Sequence, residues 1–250
     1  MDDKNWIKGE VEAIKPWTES LFSLTVRADY PPFEAGQFAR VGLPDSAGAM
    51  VERPYSLVNP PGSGPLEFYF ITVPEGALSP RLAALHAGEA LYLTRKPSGL
   101  FTLSALPPGE TLWCLATGTG IGPFLAMLAT EQIWRRFAKI ILLHGVREAR
   151  ELGYRERITA LAAERGGALV YLPMVSREAH PGALSGRIPQ AIADGRLERA
   201  AGAELVAASA QVMLCGNPEM LRDTTAVLEA RGMKRNKKKQ PGQITVESYW

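Results

Sequence analysis

The sequence predicts an antiparallel β-barrel followed by a doubly wound α/β domain with a parallel sheet. Up to about residue 100, short strand-like runs are separated by proline and glycine. After residue 110, apolar strand-like runs alternate with helical stretches. Pro107–Gly109 is typical of a linker between the two patterns, and 250 residues are enough for two ordinary domains. We therefore predict domains at 1–106 and 107–250.

Six runs in the first half are apolar, β-branched or aromatic. The predicted strands are Val11–Ile14, Leu21–Val26, Gln37–Leu43, Arg53–Val58, Leu66–Thr72 and Ala90–Thr94. Short strands with turn residues between them favour a sandwich or a small barrel. One helix is predicted at Ser79–Leu85, with Ser79 as its N-cap and Pro80 at the first helical position.

Four strands and four helices are predicted in the second half. The strands are Thr111–Ala116, Ile140–His144, Leu169–Val175 and Val212–Cys215, and the helices are Phe124–Trp134, Tyr154–Glu164, Ile188–Asp194 and Glu219–Arg231. This alternation implies a parallel sheet covered by helices on both faces. Ligands of such sheets bind beyond the carboxyl ends of the strands, near the point where the strand order reverses.

A glycine-rich turn, Thr117–Pro123, lies between the first of these strands and a helix. Such a turn exposes backbone N–H groups at the positive end of a helix, where phosphate is favoured. Its spacing, G-x-G-x-G-P, matches neither the G-x-G-x-x-G fingerprint nor a P-loop. From its residues alone, the turn either binds phosphate or is a βα turn without a ligand.

Three arginines follow the ends of the predicted parallel strands. Arg147, Arg177 and Arg187 would suit a phosphate, because each guanidinium donates in a fork. An NAD site usually has an acidic residue for the ribose 2′-hydroxyl, whereas an NADP site uses arginine for the 2′-phosphate. Arg147 ends the second strand, with Glu148 beside it, so the residues favour NADP. The alternative is that these arginines are ordinary surface residues.

A second anion site is predicted in the barrel. Arg53–Ser56 combines a cation, an aromatic ring and a hydroxyl group, and on a strand Arg53 and Tyr55 share one face. Together they suit a phosphate and a flat ring. The amides of Gly76–Ser79 suit the same phosphate. Alternatively, Tyr55 is a packed sheet residue that binds nothing.

Composition excludes several other classes. The chain has 28 Lys and Arg against 26 Asp and Glu, and its 46% hydrophobic content is that of a globular protein. We expect no membrane helix and no secretory signal, since no apolar run is long enough and the N-terminus, Met1–Trp6, is acidic and polar as a segment. Cys114 and Cys215 do not suggest a disulfide framework or a metal site. We expect a metal-free, cytoplasmic protein.

Taken together, the motifs resemble those of the ferredoxin–NADP reductases. Arg53-x-Tyr55-Ser56, Gly76-x-x-Ser79, Thr117–Pro123 and Cys215–Pro218 occur in that family's order, and the resemblance runs from Trp6 to Trp250. Leu78–Leu82 and the terminal Tyr249-Trp250 resemble the bacterial ferredoxin/flavodoxin reductases. The resemblance implies an FAD-binding barrel, an NADP-binding α/β domain, and electron transfer between NADPH and a one-electron carrier.

The resemblance also implies roles for particular residues. It implies FAD contacts from Arg53, Pro54, Tyr55, Ser56, Phe70, Ile71, Thr72, Ala77, Leu78, Ser79, Thr119, Tyr249 and Trp250. It implies NADP contacts from Thr119, Gly120, Val146, Arg147, Ser176, Arg177, Arg187, Met213, Leu214, Cys215 and Asn217. At the reacting rings it implies catalytic contributions from Tyr55, Ser56, Cys215 and Tyr249. Leu57 departs from the family where a second aromatic residue is expected, so an adenine contact would be missing.

The implied partner is an acidic ferredoxin or flavodoxin, and we expect a monomer without nucleic-acid or membrane partners. A basic run, Arg231–Lys239, would attract an acidic carrier or form a solvated loop. One alternative function is the reductase component of an oxygenase, which often carries an iron–sulfur domain, but two cysteines cannot supply a cluster's four thiolates. Another is a non-catalytic flavin- or nucleotide-binding regulator.

Overall fold

The computed structural model describes residues 5–248, so the predicted contacts of Tyr249 and Trp250 lie outside the described residues. The chain forms two compact units. The first contains the residues up to Thr102 together with Gly122–Thr130, and the second contains Leu103–Ile121 and the residues from Glu131 onward. The division of ligand binding between 1–106 and 107–250 stays a prediction.

The first unit is built on a six-stranded antiparallel sheet, as predicted. Its strands are β1 (Trp6–Pro16), β2 (Leu21–Arg27), β3 (Phe38–Pro44), β4 (Met50–Ser56), β5 (Leu66–Ile71) and β6 (Ala90–Thr94), in the order β4-β3-β6-β1-β2-β5. The outer strands β4 and β5 approach each other through a bridge between Leu57 and Phe68. The amide of Val58 donates to the Glu67 carbonyl at 2.9 Å, which extends this bridge. The sheet therefore curls into a barrel-like form.

Apolar side chains from alternating positions fill the interior of this sheet. Val11, Leu24, Phe68 and Leu91 are fully buried there. Burying one such side chain contributes about 2 kcal/mol, so the alternation predicted from the sequence also stabilises the unit. Helix α2 (Gly122–Leu128) belongs to the same unit, where Phe124 packs edge-on against Phe101 at 5.5 Å.

Helix α1 (Ser79–Ala83) ends two residues before the predicted span Ser79–Leu85 does, and Ser79 is its first residue rather than its N-cap. Leu78 occupies the cap position and forms no side-chain cap hydrogen bond. The Ser79 hydroxyl instead accepts from the Val73 amide at 2.9 Å. The prediction was wrong because this hydroxyl stabilises the turn before the helix rather than the helix end.

The second unit is built on a six-stranded parallel sheet, which confirms the predicted fold class. Its strands are β7 (Thr111–Thr117), β8 (Lys139–Val146), β9 (Leu169–Val175), β10 (Leu184–Ser185), β11 (Ala210–Gly216) and β12 (Ile244–Ser248), in the order β10-β9-β8-β7-β11-β12. The chain moves outward from β7 through β8 and β9 to β10, then returns to β11 on the other side of β7. The strand order therefore reverses between β7 and β11, and this switch point is where such sheets bind ligands.

Five helices accompany this sheet in the second unit. They are α3 (Glu131–Arg136), α4 (Arg155–Glu164), α5 (Ile188–Ala193), α6 (Arg196–Ala201) and α7 (Pro218–Ala230). The prediction of one helix at Phe124–Trp134 was wrong, because the helical conformation is interrupted between α2 and α3. At the break the Thr130 hydroxyl donates to the Met127 carbonyl at 2.7 Å, in competition with the helical backbone pattern.

The central strands of the second sheet contain long apolar runs. Trp113, Leu115, Ile141, Leu143 and Leu214 are fully buried in one cluster. Strands covered on both faces have continuous apolar runs, as predicted from the sequence.

The segment predicted as a linker is fixed within the second unit. The Arg136 guanidinium donates to the carbonyls of Leu103, Leu106 and Pro107. Gln211 donates its side-chain amide to the Pro108 carbonyl at 2.9 Å. These bonds hold the entry to β7 in place, so 103–108 is an ordered part of this unit.

Three further properties follow from the described structure. From residue 5 to residue 248, every helix is too short or too polar to cross a bilayer. In the same range, no group of three or more His, Cys, Asp and Glu side chains is arranged to hold a metal ion. Cys114 and Cys215 are buried free thiols, and burial raises the pKa of Cys114 above its ordinary value.

Candidate functional site

The glycine turn lies at the switch point, where the ends of β7 and β11 approach each other closely. A Cβ atom added to Gly120 would lie 2.4 Å from the Cys215 carbonyl oxygen. A Cβ atom on Gly216 would lie 2.2 Å from the Thr117 hydroxyl oxygen. That hydroxyl accepts from the Asn217 amide at 2.9 Å. Because Gly120 and Gly216 have no Cβ atom, the ends of β7 and β11 can lie close enough to form one continuous backbone surface.

His144 supports the other side of this turn. It lies at the carboxyl end of β8, paired in register with Ala116 of β7, and is fully buried. Its Nε2 lies 3.1 Å from the Gly118 carbonyl oxygen. Burial lowers the pKa of His144 to about 4, and the Gly118 contact opposes this shift. The imidazole is therefore neutral at pH 7, with its proton on Nε2, because a carbonyl oxygen only accepts.

The three predicted arginines are brought to adjacent strand ends. The Arg177 amide donates to the Arg147 carbonyl at 2.9 Å, which joins the ends of β8 and β9. The Gly186 amide donates to the Val175 carbonyl at 3.3 Å, which places Arg187 beside the end of β9. All three side chains are exposed, and none forms an ion pair with a described carboxylate. This arginine edge (Arg147, Arg177 and Arg187) therefore offers uncompensated positive charge.

The acidic residues near the arginine edge already have partners. Glu151 accepts from the amides of Arg147 and Glu148 at 2.9 and 3.0 Å. Glu148 pairs with Arg150 at 2.8 Å, and Glu178 accepts from the Ala149 amide at 2.6 Å. These carboxylates hold the loop and balance charge within it. The arrangement favours a phosphate over a ribose hydroxyl as the ligand of this edge.

The predicted anion site of the first unit has a cation beside an aromatic ring. Arg53 is exposed, and its guanidinium donates to the Glu52 carbonyl at 2.7 Å, with no carboxylate partner among the described residues. Tyr55 is half-buried and packs edge-on against Phe70 at 5.8 Å. Burial raises the pKa of Tyr55 to about 12, although the Arg53 charge opposes the shift. The phenol is therefore neutral at pH 7.

The Gly76–Ser79 turn follows β5 and has donors available. The Gly76 amide donates to the Val73 carbonyl at 2.8 Å, which closes the turn. The amides of Ala77 and Leu78 donate to no described group. A Cβ atom on Gly76 would lie 2.9 Å from the Val73 carbonyl oxygen, so only glycine fits there. A guanidinium without a described carboxylate partner, two free amides and an aromatic ring fit a diphosphate that carries a flat ring system, as FAD does.

The remaining predicted site residues differ in exposure. The exposed members are Pro54, Ile71, Ala77, Ser176 and Asn217, whereas Thr72 and Thr119 are half-buried in their loops and Gly120 is buried. The other buried members are Ser56, Phe70, Leu78, Ser79, Val146, Met213, Leu214 and Cys215. For the buried members of β11 we expect contributions through the backbone at the strand end. The predicted contacts of Tyr249 and Trp250 lie outside the described residues.

Two supports of the site were not predicted from the sequence. The Asn217 side chain caps α7 by accepting from the amides of Glu219 and Met220 at 2.9 and 3.2 Å. Asparagine before proline at a helix start is a known capping signal, so this role was accessible from the sequence. The contact between His144 and Gly118 has no local signal, because 26 residues separate the two.

Comparison with known proteins identifies the relatives of this chain. Residues 114–226 match the family model described as the oxidoreductase NAD-binding domain. Over 98% of this chain and 99% of the relative, the sequence is 45% identical to a flavodoxin/ferredoxin–NADP reductase of Shigella flexneri. The corresponding reductase of Escherichia coli strain K12 is 44% identical over the same shares.

A solved structure agrees over the full length. The crystal structure of a ferredoxin NADP+ reductase from Neisseria gonorrhoeae, with bound FAD and NADP, matches with a TM-score of 0.94 and 31% identity. The match covers 98% of this chain and 99% of the other. Fold and site together define the class as an oxidoreductase with a dinucleotide-binding parallel sheet. Within that class, the chain belongs to the flavodoxin/ferredoxin–NADP reductase family.

Proposed function

We propose that this chain is an FAD-containing reductase that transfers electrons between NADPH and a one-electron carrier, either ferredoxin or flavodoxin. The observation that carries this function is the 45% identity to a flavodoxin/ferredoxin–NADP reductase over 98% of the chain. The uncompensated arginine edge supports the choice of NADP over NAD. When bound, FAD connects the two-electron chemistry of NADPH with the one-electron chemistry of the carrier.

We assign the first-unit site to FAD. Arg53 and the amides of Ala77 and Leu78 would hold the diphosphate, since Arg53 has no described carboxylate partner and the two amides donate to no described group. The neutral Tyr55 ring would stack on the flavin and orient it, and Ser56 would lie at its reacting edge. These roles agree with the free donors and the half-exposed ring.

We assign the second-unit site to NADP. The arginine edge would bind the 2′-phosphate, and the glycine turn with Asn217 would hold the remainder of the dinucleotide beside the end of β11. Cys215 would then lie at the nicotinamide, whereas the role predicted for Tyr249 lies outside the described residues. We further propose that the protein is a cytoplasmic monomer.

An anaerobic titration with NADPH tests the proposed function. We expect the purified protein to show flavin absorption near ~450 nm, and NADPH to bleach it. Added ferredoxin or flavodoxin should then be reduced, with NADPH consumed at half that molar rate. A colourless protein, or a flavin that does not respond to NADPH, would contradict the reductase function and support the nucleotide-binding regulator.

The basic run divides into paired and unpaired residues. Arg231 pairs with Glu198 at 2.7 Å, and Arg235 pairs with Glu229 at 3.4 Å. Lys237 and Gln240 close a tight hairpin through backbone bonds of 3.0 and 2.9 Å. The lysine hairpin (Lys237–Gln240) presents three exposed lysines with no ion pair to a described carboxylate. We propose that it attracts an acidic carrier.

Charge reversal in the lysine hairpin tests this role. We expect Lys238→Glu to lower kcat/KM for ferredoxin or flavodoxin several-fold at low ionic strength. The difference should shrink toward 1 M salt, where the Debye length is about 3 Å. Reduction of an uncharged quinone should be unchanged. Lys8→Glu is a matched control, because Lys8 is exposed without a described partner on β1. Equal losses in both variants would argue against a role for the hairpin.

A further inference from the structure

His144 occupies a position that the fold alone would fill with an apolar side chain. Ile140–Leu143 precede it on β8 and are fully buried, and His144 is fully buried with them. Its Nδ1 has no hydrogen-bond partner among the described residues. A buried imidazole with one unpaired nitrogen costs stability relative to a hydrocarbon of similar volume. The one described hydrogen bond of the His144 side chain, to the Gly118 carbonyl, therefore indicates what this residue does.

Holding the Gly118 carbonyl fixes the direction of the next amide. The described peptide bonds are all trans, so the Gly118 oxygen and the Thr119 N–H point in opposite directions within one plane. With the oxygen directed at His144, the Thr119 N–H is directed away from it. Gly118 has a φ of +54° and no Cβ atom, so its backbone can adopt other conformations at little cost. The histidine bond removes that freedom.

We propose that His144 is a positioning residue that orients the Gly118–Thr119 peptide for NADP(H). This inference rests on the proposed function, which assigns the glycine turn to the dinucleotide. His144 touches neither substrate nor cofactor in this role. It acts through the Gly118 carbonyl, and its effect is confined to the part of NADP that meets the turn. The 2′-phosphate, bound by the arginine edge, should not depend on it.

Two ligands separate this role from a purely structural one. Calorimetry on the FAD-loaded enzyme would compare NADP+ with adenosine 2′-monophosphate, which carries only the adenosine and the 2′-phosphate. We expect His144→Leu to weaken NADP+ binding about 10-fold, while adenosine 2′-monophosphate binding changes less than about twofold. His144→Gln retains an N–H donor and should recover part of the loss. His86→Leu is the matched control, because His86 is exposed and contacts Glu89.

Each outcome decides the proposal. Selective loss of NADP+ affinity with recovery in the glutamine variant would support it. Equal loss of both ligands in the leucine and glutamine variants would overturn it in favour of a structural role, and unchanged affinity would also overturn it. If the leucine variant fails to fold, the glutamine variant should still bind NADP+ more tightly than a His144→Ala variant, and equal affinities would overturn the proposal. A native enzyme that binds adenosine 2′-monophosphate but not NADP+ would overturn the proposed function as well.

Discussion

Replacing Gly120 by alanine is expected to remove NADP(H) binding and to destabilise the protein. The new Cβ atom would lie 2.4 Å from the Cys215 carbonyl oxygen, 2.6 Å from its carbon and 2.9 Å from the Gly216 Cα. All three are backbone atoms of β11 and its end, so no side chain can move aside. To relieve this steric overlap, the turn and the end of β11 must move apart, which we expect to lower the free energy of unfolding by about 3 kcal/mol. We expect kcat/KM for NADPH to fall more than about 100-fold.

Gly118→Ala is the matched control for this prediction, since it adds the same methyl group two residues away. A Cβ atom on Gly118 would meet nothing within 4 Å, and its φ of +54° adds only the strain of a left-handed residue. That strain costs about 1 kcal/mol. Denaturant unfolding and steady-state kinetics would compare the two variants. Equal losses in both would mean that backbone conformation, not the close approach of β7 and β11, limits this turn.

The convergence of the three arginines could be predicted because parallel strands bring their carboxyl ends to one edge. Arg147, Arg177 and Arg187 are separated by up to 40 residues in the sequence, yet each follows a strand end. Once the order of strands and helices is recognised, topology alone brings them together. That these arginines have no ion-pair partner among the described residues could be seen only in the structure. It depends on the groups with which Glu148 and Glu151 interact instead.

The elements that escaped prediction are those whose stability comes from tertiary contacts. Strand β10 has two residues, which are too few to show a periodic pattern in the sequence. It is defined by its parallel pairing with β9. Strand β12 is held beside β11 by parallel pairing from Val212 to Gly216. Asn236 supports the entry to β12 by donating to the Ala105 carbonyl at 2.9 Å and the Thr245 hydroxyl at 3.1 Å. No local propensity encodes such bonds.

The site residues show the same division between local and distant information. Arg53 and Tyr55 share a strand face, so their proximity follows from the period of a β-strand. The role of Ser79 was mispredicted because its partner, the Val73 amide, lies on the preceding turn. His144 was recognised as a strand-end residue, but its bond to Gly118 joins two strands and is visible only in three dimensions.

Removing two arginines from the arginine edge is expected to abolish the preference for NADPH. Each guanidinium forms a charge-assisted bond to the 2′-phosphate in the proposed complex, worth about 1.5–3 kcal/mol and less where solvent screens it. We expect Arg177→Ala with Arg187→Ala to lower kcat/KM for NADPH about 100-fold. Activity with NADH should remain within about twofold, because NADH lacks the phosphate that these side chains bind. Steady-state kinetics with both coenzymes would measure the ratio.

The comparison with NADH is what makes this prediction specific. A variant that no longer folds or no longer binds flavin loses activity with both coenzymes. A variant that has lost only a phosphate contact loses activity with NADPH and keeps its activity with NADH. Arg222→Ala provides a control, because Arg222 is an exposed arginine paired with Asp223 on α7 and should leave both coenzymes unaffected. A parallel fall with NADH in the double variant would mean that the arginines act on the second unit itself. The acidic residues of that edge, already engaged with Arg150 and with loop amides, would then need a different explanation for their arrangement.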